Sequence, residues 1–218
     1  MRVLDLILAD ARTPTGGYAH SAGLEQLVIG GADAGAVPGF VTARLRTVAW
    51  VEAAFAARAC AQDRVPDLLE LDLELAARVA APPLRHASGR LGSSLLRTAL
   101  RWWPEAGLLL GYQDRSELTL RPVVLGAVVR CGGGTPLAAA TISLYEDAAT
   151  VCSAAVKLLP LDPALASAWM VRLADEIEAL SARATAAAAG GELPSTATPS
   201  LDRDALVHAE HPRRLFAS

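Results

Sequence analysis

The prolines of this chain fall between its apolar runs rather than inside them, and that placement limits what it can fold into. Pro38, Pro66, Pro122, Pro136 and Pro163 each stand at the head of a stretch with apolar residues at helical spacing. Proline suits the first turn of a helix, where its missing N–H has no partner to lose, and is costly in a helix interior. From Pro38 to about Gln62, residues Phe40, Val41, Leu45, Val48, Val51, Ala54 and Phe55 trace one stripe, with Arg44, Arg46, Glu52 and Arg58 mostly off it. The Pro66 run continues through Leu68, Leu71, Leu75 and Val79 until Pro82 and Pro83 stop it. Leu91, Leu95, Ala99 and Trp102 keep the same period up to Pro104, and two long runs cover 136–159 and 163–189. Residues 122–129 are rich in valine and fit either a helix or a short strand. A short amphipathic helix over Val3, Leu4, Ile7 and Leu8 opens the chain and ends before Thr13 and Pro14.

Abundant Ala and Leu with only 5% aromatics favour helix over sheet. The expectation is an all-α protein: one helical-bundle-like domain over 1–189, a linker over 190–200 and a flexible C-terminal tail over 201–218. The linker is drawn where Gly, Pro, Ser and Thr take over the composition. The tail is charged yet finishes on Leu215 and Phe216, apolar side chains that a solvated end has no need for.

A formal charge of −3 gives no field that would hold the chain on nucleic acid or an acidic membrane. Cys60, Cys131 and Cys152 are widely spaced and odd in number, as expected of reduced thiols rather than a disulfide framework or a zinc knuckle. Asp5 and Asp10 interrupt the apolar N-terminus, which a secretory leader does not tolerate, so a cytoplasmic location is expected. Glu146, Asp147 and Lys157 interrupt the most apolar stretch, which therefore reads as a buried core helix and not a membrane span.

No complete catalytic set emerges. "TPTGGYAHSAG" and "RCGGGTPL" lack the Lys of a phosphate-binding loop, so no nucleotide is expected. His20 and Ser21 put a base beside a hydroxyl, the basis of an alternative reading as a helical hydrolase, but G-x-S-x-G is absent. The structural alternative has Ser21 capping a helix that begins near Glu25, with the glycines supplying turn dihedrals. His208 and His211 have the spacing of two ligands on one helical face, without a third nearby; no metal or cofactor is expected. Arg90, Arg97 and Arg101 align on one helix face, which suits a hydrated surface or an interface with an acidic partner, and a generic helical regulatory protein is a further alternative.

Taken together, the motifs resemble the urease accessory protein UreF family. Pro14, Gly16, Gly17, Tyr18, His20, Ser21, Gly23, Leu24 and Glu25 match that family's early Pro-x-Gly-Gly-aromatic-x-His/Tyr-Ser-x-Gly-Leu-Glu segment. Arg85, Ser88 and Gly92 are similar to its Arg-x-x-Ser-x-x-x-Gly pattern, and "RRLFAS" to its C-terminal ending. Asp162, Pro163 and Ser167 depart from it where Gly and Gln are usual, as do Lys157 for Arg and Arg121 for His. The resemblance implies an all-α assembly factor, not an enzyme, that joins a UreD/UreH-type scaffold and a UreG-type GTPase and, in some state, a second copy of itself. The assembly would insert nickel into apo-urease. It also implies partner contacts at Tyr18, His20, Ser21, Glu25, Arg85, Ser88, Arg213, Arg214, Leu215 and Phe216. Pro14, Gly16, Gly17, Gly23 and Gly92 would shape the turns, with Tyr18, His20 and Glu25 the exposed part of the early loop.

Overall fold

The computed structural model describes residues 2–211 and 215–216, with the side chain of Tyr18 outside that description. Among the described residues there is no strand. The helices are α1 (Val3–Ala9), α2 (Leu24–Ile29), α3 (Val37–Arg44), α4 (Trp50–Cys60), α5 (Val65–Arg78), α6 (Pro82–Trp102), α7 (Gly107–Arg115), α8 (Arg121–Cys131), α9 (Pro136–Leu158), α10 (Pro163–Ala189) and α11 (Pro199–Glu210). Proline occupies the first turn of α3, α5, α6, α8, α9, α10 and α11, as its fixed φ and missing donor favour. Pro82 and Pro83 thus open α6; α5 has already ended at Arg78.

Helix α4 is the centre, packed against α8, α9 and α10. Its Ala53, Ala54, Ala56, Ala57 and Ala59 are fully buried, and the small side chains let neighbouring backbones come close. Gly126 on α8 marks the closest approach, since a Cβ there would stand 2.3 Å from the Ala56 carbonyl oxygen and 2.6 Å from Ala59 Cβ. All of Pro122 to Val129 is buried, and this valine-rich segment is a helix rather than a strand, packed against both α4 and α6. Gly92 does for α6 what Gly126 does for α8: the 118–121 turn crosses it so closely that a Cβ would overlap the Thr119 carbonyl.

Two local features differ from the sequence expectation. The run from Pro38 to Gln62 is not one regular helix, because Leu45–Ala49 forms a π turn between α3 and α4. One extra residue per turn rotates the face that follows, which is why π turns so often accompany binding sites. Helix α7 was not anticipated either. It is held by Asp72 of α5, whose buried carboxylate accepts from Tyr112 Oη (2.5 Å), Ser116 Oγ (2.7 Å) and the Leu120 N–H (3.0 Å).

Residues 190–198 carry no helix, yet they are tied down. Arg78 donates to the carbonyls of Leu193 and Pro194, Arg58 donates to those of Ala188 and Gly190, and Leu193 is buried. Helix α11 then lies across α6 and α2, and Asp202 accepts from the Ala81 N–H at 3.2 Å. No described helix is long and apolar enough to cross a membrane.

Candidate functional site

The early loop is pinned to α6 before it reaches α2. Ser94 Oγ and Thr98 Oγ1 donate to the Pro14 carbonyl (3.2 and 3.0 Å), and Thr13 Oγ1 donates to the Ile7 carbonyl. Gly16 (φ 86°) and Gly23 (φ 89°) sit in the left-handed region, where a side chain is strained, so the turn depends on glycine at both positions. Gly17 instead starts a short 3-10 turn with open space around it. Ser21 is fully buried and its hydroxyl accepts from the Glu25 N–H (3.3 Å), the capping role; a sealed hydroxyl so engaged offers no nucleophile.

Contrary to the sequence expectation, this loop does not expose His20 and Glu25. They are 9% and 4% exposed. Glu25 is covered because the C-terminal segment folds onto it: its carboxylate meets His208 Nε2 at 2.8 Å and accepts from the N–H groups of Leu215 (2.5 Å) and Phe216 (3.0 Å). Burial opposes the charge, and these hydrogen bonds outweigh it, holding Glu25 below the usual carboxylate range. Phe216 is 4% exposed, under the Lys157 ammonium 5.3 Å from the ring centroid, whereas Leu215 points outward at 67%. His20, pressed by burial and by the nearby positive charge of Arg90, is held below the ordinary imidazole value.

His208 and His211 do not form a metal pair, since His208 is engaged with Glu25; among the described residues no group of three His, Cys, Asp or Glu could hold an ion. Arg85 and Ser88 have framework roles. Arg85 Nη1 donates to the carbonyls of Val79 (2.5 Å) and Ala80 (2.9 Å), and Ser88 Oγ accepts from the Arg121 N–H at 3.0 Å, capping α8. Arg90, Arg97 and Arg101 are exposed on α6. Arg213 and Arg214 lie outside the described residues.

Behind α11 is a cavity of about 510 Å³ that also touches α4, α6, α8 and α9. Its floor is charged. Arg44 is bidentate to Asp147 (Nε–Oδ1 3.1 Å, Nη2–Oδ2 2.5 Å), and Arg121 Nη2 reaches both oxygens of Glu146 (2.7 and 2.8 Å). Glu52, one turn beyond the π segment, completes the set, and burial together with the charge of Asp147 pushes its carboxyl up to about 7. Sequence reasoning missed this cluster: Arg44 and Glu52 looked like the wet side of a stripe, and Arg44 is instead buried. The only signal was Glu146 and Asp147 inside an apolar helix, which demands partners without naming them.

A model of the UreF family matches residues 32–174. Over 98% of its length the chain is 36% identical to the urease accessory protein UreF of Mycolicibacterium vanbaalenii, 97% of which is covered. With the proteins of the same name from Mycobacterium tuberculosis and Mycobacterium marinum the identities are 35% and 34% over the same shares.

Proposed function

Because the chain belongs to the UreF family of urease accessory proteins, we propose that it acts as a maturation chaperone in the cytoplasm. On this reading it joins a UreD/UreH-type scaffold and a UreG-type GTPase on apo-urease, and nickel is the cargo of the assembly. A protein with this task needs surfaces that prefer one nucleotide state of the GTPase, since only differential affinity can couple hydrolysis to metal delivery.

The observation that supports it best is the docked C-terminus. Helix α11 and the tail leave Leu206, Val207 and Leu215 exposed while Leu201, His208 and Phe216 are buried beneath them. Exposed apolar side chains on an element fixed from below form a ready contact for the scaffold, with little ordering cost at binding. Glu25 and Phe216 then serve the contact by holding the tail, Ser21 serves it by accepting from the Glu25 N–H, and Leu215 touches the partner. The arginine row of α6 offers a second surface, suited to an acidic face on the GTPase.

Size-exclusion co-elution with a cognate UreD-type scaffold and UreG-type GTPase tests this. A stable three-protein peak is expected, and separate elution of this chain from both under conditions where each is folded would contradict it.

A further inference from the structure

We propose that the cavity behind α11 is a binding site for an organic cation, an alkylammonium or alkylguanidinium group, whose charge is met by Glu52. Its volume, about 510 Å³, lies within the range of small-molecule pockets and accommodates a basic side chain or a free amine of similar size.

The charges on its floor decide the sign of the ligand. Arg44 and Asp147 satisfy each other, as do Arg121 and Glu146. Glu52 makes no hydrogen bond and no ion pair among the described residues; Arg44 and Arg121 act on it only from a distance, so the floor carries an acid without a direct partner. Arg121 Nη1 is sealed within protein and has no partner there, whereas the Glu52 oxygens are not sealed. A cation can therefore be met by the Glu52 carboxylate directly, with no ion pair to be broken first. Elsewhere in the lining Asp10 is paired with Arg12, Asp204 with Arg203 and Arg78 with Glu74, and Asp202 accepts from the Ala81 N–H.

The walls decide the shape. Val48, Val51 and Leu125 give an apolar lining suited to an aliphatic stem, and Ser143, Thr150 and Ser153 bring hydroxyl acceptors for N–H groups that Glu52 leaves over. A metal ion fits the donor set poorly. Asp147 and Glu146 are already bound to guanidinium groups, which leaves Glu52 alone on the floor, and no three-ligand group exists among the described residues.

The full chain, at pH 8 and constant ionic strength, would be titrated with n-butylammonium and N-ethylguanidinium and followed by amide NMR shifts. Saturable shifts at Val48, Glu52 and Thr150 are expected, with affinity at least tenfold lower in Glu52→Gln. The neutral isosteres N-butylacetamide and N-ethylurea should leave the wild-type spectrum unchanged, a comparison that holds even if the variant folds badly. A short capped peptide with one central Arg separates the two sources: tighter binding of the peptide assigns the site to a partner's side chain, tighter binding of the free amine to a small molecule. Shifts that never saturate, equal affinity in Glu52→Gln, or equal binding of the neutral isosteres would overturn the proposal.

Discussion

The α4–α8 contact and the Glu25 contact are both buried, but they are held together in opposite ways. Around Gly126 the helices meet through alanine and backbone, with hardly any polar group involved, and the attraction is spread over many small contacts. Around Glu25 one carboxylate gathers an imidazole and two backbone N–H groups from a segment more than 180 residues away. A distributed contact fails only with the fold. A contact centred on one charged group can let go alone, so the C-terminal segment is expected to loosen before the bundle does.

Gly126→Ala should have the largest effect. Its Cβ would press on the Ala56 carbonyl and Ala59, and a loss of about 3 kcal/mol is expected from overpacking at backbone that cannot yield. Thermal denaturation followed by circular dichroism measures it, and an unchanged melting temperature would remove the distinction between the two contacts. Glu25→Gln comes next, weakening charge-assisted hydrogen bonds by about 2 kcal/mol. Hydrogen exchange should rise across 199–211 and stay constant in α4, α8 and α9; a rise everywhere would mean that the tail and bundle unfold as one unit.

Acid should act on the wild type as Glu25→Gln does. Because the folded-state carboxyl titrates below its free value of 4.5, docking is fully stabilised above that value and is lost as pH falls through the lower one. The Phe216 amide resonance should move toward a random-coil position as pH falls well below that free value, and no movement would contradict the role given to the charge. Glu52 has the reverse sign. Its folded value of about 7 lies above 4.5, so the protein loses stability as pH rises between them, and Glu52→Gln should flatten that part of the profile. Lys157→Ala removes the cation above Phe216, and the loss of that contact should cost about 0.5–1 kcal/mol of tail docking, visible as a small rise in exchange at 215–216.

Much of the bundle was legible because prolines and helical periods are local signals: each proline that headed an apolar run lies in the first turn of a helix. The π turn at Leu45–Ala49 was not, since the same residues satisfy a regular helix until the packing of α4 fixes its rotation. Helix α7 depends on Asp72, whose partners lie 40 to 48 residues away, and no local pattern reports them. At the site, Gly16, Gly23 and Ser21 could be read as turn and cap residues because their roles are set by near neighbours. Glu25 could not be read as buried. Its environment is made by His208, Leu215 and Phe216, so the same motif that identifies the family gives no hint of what covers it.

The most direct test of the account concerns the outer face of the docked tail. Leu206→Glu with Leu215→Glu alters only exposed side chains, and co-elution with a cognate UreD-type scaffold would be compared with that of the wild type. The account predicts that the double variant keeps its helical content and hydrogen-exchange protection yet no longer co-elutes. Co-elution equal to the wild type would contradict it and would place the scaffold contact elsewhere on the bundle.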